Sequence, residues 1–148
     1  MGFFDLFKSK KGNTINTTSK NHIKKSLHFP AVDEQGKKAL TLREADIYGT
    51  GRTYSGVSAQ DVVAKLNVGD TVILENSVTS DAVKVFSSQK EQFGFLPEWK
   101  DTNAPKVKYE VYSSLERGAT VLAKVKSKYI NKNGNIGVII EVCRYSTR

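Results

Sequence analysis

Three glycines and an arginine crowd into YGTGRTYSGV, residues 48–57 (Gly49, Gly51, Gly56 and Arg52). Closely spaced glycines let backbone N–H groups approach a phosphate, and a helix that follows adds its positive end. A dinucleotide-binding G-x-G-x-x-G has two residues between its second and third glycines. Here Arg52, Thr53, Tyr54 and Ser55 separate Gly51 from Gly56. No lysine–serine pair follows to make a P-loop, and the chain does not alternate strands with long helices as a nucleotide-binding sheet does. The phosphate-cradle reading fails. What remains is a guanidinium beside a tyrosine, able to meet a phosphate and to stack on a base. The plainer reading is that the Arg52 stem covers a barrel mouth while Tyr54 packs.

Other reactive residues do not assemble into a centre. His22 and His28 lie six apart, without the carboxylates or thiols that would complete a metal site. Ser87 and Lys90 have S-x-x-K spacing, which unites two side chains on a helix but here falls in a hairpin turn. Cys143 is the sole cysteine and sits in an apolar strand, which implies a buried, inert thiol and no internal disulfide. The expectation is no enzyme, no metal and no cofactor.

The elements that must hold Arg52 and Tyr54 are mostly strands. ADIYGTG reads as a strand entering a glycine turn. SAQDVVAKLNVGD reads as a short helix capped by Ser58, with Val62, Val63 and Leu66 on one face. TVILEN, DAVKVFS and QFGFLP read as strands, the last two joined as a hairpin and ended by Pro97. APKVKYEVYSSLERG is a second short helix stopped by Gly118. ATVLAKVKSKYI and IGVIIEVCRY form a long hairpin around NKNGN. Five or six short strands and two short helices predict a small, mostly β domain of OB- or SH3-like barrel type spanning residues 29–148. Its expected core includes Leu74, Val83, Val85, Val121, Val125, Ile139 and Val142, with Trp99 plugging one end. Phe93 and Phe95, two apart on a strand, are expected to share a face, as core or as a stacking platform.

Charge divides unevenly. The 148 residues carry a net +8, and residues 1–28 alone supply +5 from six lysines against Asp5. That segment is polar and basic and reads as a flexible linker. Ahead of it, Phe3, Phe4, Leu6 and Phe7 line one side of a two-turn amphipathic start, suited to a membrane surface or a partner. No apolar run is long enough to span a bilayer, no secretory signal is visible, and a cytoplasmic location follows as the default. In the domain, Lys124, Lys126 and Lys128 alternate along one strand, and strict alternation would put all three on one phosphate-neutralising face. Lysines on an edge strand also guard against aggregation.

GRTYSGV, a short helix, L-x-x-G-D-T-V-x-L-E-N, D-A-V-K-V and F-G-F-L-P follow one another in an order that resembles the HIRAN domain, a small OB-like barrel. The resemblance covers roughly residues 43–145. It implies non-enzymatic binding of single-stranded DNA or DNA ends, including capture of a 3′ end by stacking on tyrosines. Carried over by position, Arg52 would meet phosphate, Tyr54 and Gly56 would belong to the same turn, and Asn76 would open the element that meets the terminus. Phe95 would add a stacking surface, and Lys84 with Lys124, Lys126 and Lys128 would supply general attraction. Thr53 stands where a member that captures DNA ends has a stacking tyrosine, and Ser77, Val78 and Thr79 replace that member's proline, tyrosine and aspartate. The alternative is a protein-interaction or adaptor module attached to a partner or a membrane through residues 1–11.

Overall fold

The computed structural model describes residues 29–98 and 104–148. The Phe-rich start, the basic segment and Trp99 lie outside the described residues. The chain divides into two units, Met1–Pro30 and Ala31–Arg148, and every element below belongs to the second.

A mostly β architecture emerges, with a curled six-stranded antiparallel sheet and two helices. The strands are β1 (Ala39–Asp46), β2 (Thr53–Tyr54), β3 (Val57–Ser58), β4 (Thr71–Asn76), β5 (Val83–Ser87), β6 (Gln92–Phe95), β7 (Val121–Ile130) and β8 (Ile136–Tyr145). The helices are α1 (Ala59–Lys65) and α2 (Ala104–Glu116). The main sheet runs β1-β8-β7-β4-β5-β6, and β2 and β3 form a separate small ribbon. Pairing between β4 and β7 covers two positions, Thr71 with Lys124 and Val72 with Ala123, which lets the sheet bend there. The two outer strands then approach each other: just past β1, Tyr48 bridges Phe95 of β6.

Gly94 makes that approach possible. A Cβ there would sit 2.5 Å from the Tyr48 carbonyl oxygen and would collide with the Ile47 side chain. Only a glycine lets two backbones meet this closely.

The helices bury their apolar stripes against the sheet. Ala59, Val62 and Val63 of α1, with Leu66 just beyond it, join the core, and α1 packs on β6 and β8. Ser58 occupies the N-cap in an extended conformation, but its side chain makes no capping bond. Val107 and Val111 anchor α2, which lies over β1, β4, β5 and β7. Polar contacts fix its angle. Arg43 grips both carboxylate oxygens of Glu110 (3.2 and 3.1 Å), and Arg144 donates to Ser114 Oγ at 3.0 Å. The fully buried Lys108 pairs with Asp81 and Glu98 at 3.2 and 3.4 Å. Among the described residues, no helix is long and apolar enough to cross a membrane.

Leu74, Val83, Val85, Val125 and Val142 belong to the core as expected. Val121 is only partly buried at its margin, and Ile139 faces the other way. The inward residues of β8 are Val138, Ile140 and Val142. Val138, Ile139 and Ile140 are apolar in succession, so the sequence carries no alternation from which to choose the inner face.

Candidate nucleic-acid interface

The glycine turn after β1 is built by its own backbone and by a neighbour. The Arg52 N–H donates to the Gly49 carbonyl at 3.2 Å, and Ala59 N–H donates to the Arg52 carbonyl at 2.9 Å. Ser55 and Gly56, between β2 and β3, both have positive φ (51° and 81°), the pattern of a type I′ hairpin turn. Gly56 thus serves the turn, and nothing lies within 4 Å of where its Cβ would be. From the first turn of α1, Gln60 donates to the carbonyls of Thr50 (2.9 Å) and Ile136 (3.0 Å) and accepts from the Ile136 N–H (2.8 Å). This one amide ties the glycine turn to the β7–β8 hairpin.

The turn delivers Arg52 to an aromatic surface. Its guanidinium donates to the Tyr48 hydroxyl at 2.7 Å and lies 4.8 Å from the ring centroid. No carboxylate among the described residues pairs with it. Tyr54 donates its hydroxyl to the Gly49 carbonyl at 2.8 Å, and burial pushes that hydroxyl up, so it stays a donor. Its ring meets Phe95 edge-on, with centroids 5.8 Å apart. Across the sheet Phe95 is paired with Lys84, and Lys84 with Glu75. Tyr48, Phe95 and Lys84 therefore stand side by side on the outer face. Tyr48 is 38% exposed, while Phe95 and Lys84 are half-buried.

Other expected positions lie elsewhere. Phe93 and Phe95 do not share a face. Register slips between Val85 and Phe86, where β6 carries a bulge, so Phe93 turns into the core while Phe95 stays outside. The lysine row is broken in the same way. Register shifts between Val125 and Ser127, so Lys128 pairs with Val138 on the inner face, whereas Lys124 pairs with Glu141 on the outer one. Lys128 donates to the carbonyls of Leu66 (2.7 Å) and Val63 (3.0 Å), neutralising the negative end of α1. Lys126, on the bulge, pairs with Glu44, whose hydrogen bond raises the lysine's pKa. Nor is β7 an edge strand: it lies between β8 and β4.

Comparison with protein-family models, curated proteins and solved structures finds no match.

Asn76 is also separate from the Arg52 cluster. It pairs with Val83 on the inner side of the sheet, and its Nδ2 donates to the Tyr112 carbonyl (3.0 Å) and to Glu116 (3.3 Å). Val78 in the loop beyond is 97% exposed. Of the expected site residues, Arg52, Tyr54, Phe95 and Lys84 come together, and Tyr48 joins them. Sequence reasoning missed Tyr48 and Gln60. Tyr48 stands four residues before Arg52, which donates to its hydroxyl, and the bridge to Phe95 sets it beside the second ring. No group of three or more His, Cys, Asp or Glu side chains suited to a metal occurs among the described residues. Cys143 is buried, and burial pushes its thiol up.

Proposed function

We propose that the chain is a non-enzymatic nucleic-acid-binding module, an OB-like barrel of the HIRAN type that takes single-stranded DNA on the surface around Arg52. The observation that carries this reading is the row of Tyr48, Phe95 and Lys84, with the Arg52 guanidinium held against the Tyr48 ring and no carboxylate among the described residues paired with it. Exposed rings accept any base, and cations beside them meet the phosphates that link the bases. Thr53 lacks the ring that an end-capturing member carries in this turn; Tyr48, held to Arg52, supplies another. The engagement of Asn76 by α2 favours contact with bases and phosphates over hydrogen bonding to a strand terminus.

Fluorescence anisotropy of the full chain with a labelled oligothymidylate tests it. Arg52→Ala should weaken binding roughly tenfold, about 1.4 kcal/mol, and Tyr48→Ala should cost about 1–3 kcal/mol for the lost stack. Wild-type affinity in both variants would place all attraction outside this surface. Absence of binding by the wild type would turn the assignment to the protein-interaction alternative.

A further inference from the structure

The outer face does not end at Lys84. Phe86 lies two residues along β5, and the burial pattern of that strand turns Val83, Val85 and Ser87 inward, with Lys84 and Phe86 outward. Phe95 is directly opposite Lys84, and Phe86 is the next outward position along β5, opposite Gln92 beyond the bulge. The ammonium of Lys90, in the hairpin turn, lies 5.0 Å from the Phe86 ring centroid and pairs with Glu75. The face thus presents two ring–cation pairs, Tyr48 with Arg52 and Phe86 with Lys90, with Phe95 and Lys84 between them. Glu75 is the single acidic residue in β4, β5 and β6. Within these three strands Lys84 is the one cation, and Glu75 is engaged by Lys90 from the turn.

We propose that Phe86 and Lys90 form a second subsite for the same nucleic-acid strand. The inference rests on the function proposed above and extends it to a substrate class. The ligand is an internal single-stranded segment of at least about four nucleotides, within the range one small barrel accommodates, and a free terminus is not required. One base stacks on the Tyr48–Phe95 end and a later one on Phe86, while Lys84 and Lys90 meet the phosphates between them. Glu75 restrains this binding, because a phosphate that reaches Lys90 must compete with its carboxylate.

The test compares labelled oligothymidylates of three and nine nucleotides, bound to the full chain at fixed salt. Phe86→Leu keeps an apolar side chain and the net charge but removes the stacking ring. It should weaken the nine-mer about tenfold and leave the trimer unchanged. Glu75→Gln should tighten the nine-mer several-fold, as expected from removing one competing charge. Glu44→Gln, which frees Lys126 on another part of the sheet, should do much less. Equal nine-mer affinity in Phe86→Leu and wild type would overturn the second subsite, as would equal tightening by Glu75→Gln and Glu44→Gln. If Arg52→Ala weakens both lengths while Phe86→Leu weakens neither, the second subsite fails and the first reading stands. If Arg52→Ala affects neither length, the first reading fails as well.

Discussion

Tyr48 and Phe95 exchange a pair of backbone hydrogen bonds, each 2.9 Å long. That exchange joins the chain leaving β1 to β6, at the opposite end of the strand order. The seam that curls the sheet and the surface that carries the rings are therefore the same place. Folding the sheet assembles the interface, and opening the seam would dismantle it.

Gly94→Ala should show this coupling. The added methyl meets the Tyr48 backbone carbonyl, which cannot rotate away. Destabilisation should fall at the upper end of about 1–3 kcal/mol in urea denaturation, and oligonucleotide affinity should fall with it. Tyr48→Ala, at a half-exposed ring, should reduce affinity with a smaller loss of stability.

Lys128 and Lys84 should separate stability from binding. Lys128→Met keeps the aliphatic stem but removes the cation from the end of α1, which should cost about 1–2 kcal/mol with oligonucleotide affinity almost unchanged. Lys84→Met should do the reverse, lowering affinity and flattening its salt dependence while leaving thermal stability near wild type.

Alkaline unfolding should report on Tyr129. Burial, followed by its hydrogen bonds to Asp46 (2.6 and 2.8 Å), pushes the hydroxyl up to about 12 from an ordinary value of 10.0. Between those values the folded chain keeps a proton that the unfolded chain loses, so stability is present below pH 10 and declines toward pH 12. Tyr129→Phe should lose that part of the decline. Denaturation midpoints of the two proteins across this window measure the difference.

At low pH the corresponding group is Glu110. Burial opposes its charge, but the hydrogen bond from Arg43 prevails, with Arg43 and Arg144 adding charge attraction, and its pKa falls below the ordinary 4.5. Its contribution is complete above that value and is lost as the pH drops through the lower folded one. Glu110→Gln should be less stable at neutral pH by about 2 kcal/mol, and the gap should narrow in acid.

The elements most legible in the sequence were those whose patterns are local. Alternation in DAVKVFS, the Val62–Val63–Leu66 face and the Asn-Gly hairpin all lead directly to β5, α1 and the β7–β8 turn. β1 was harder to delimit, because its inward Arg43 replaces an apolar residue and finds Glu110 only after α2 has packed. Both bulges were invisible, since an extra residue leaves no compositional mark yet reverses every later side chain. That reversal moves Lys128 from a supposed phosphate contact to a helix cap and sends Phe93 into the core. At the interface, Arg52, Tyr54 and Phe95 could be picked out from residue type and order. The place of Tyr48 beside Phe95 depends on a pairing across 47 residues of chain, which no local signal announces.

The most direct measurement is an amide chemical-shift titration of the isotope-labelled full chain with a nine-nucleotide oligothymidylate. The account predicts that the largest shifts cluster at Tyr48, Arg52, Tyr54, Lys84 and Phe95, with Lys128 and Asn76 little affected. Shifts confined to residues 1–28, with the Tyr48–Phe95 surface unchanged, would contradict it.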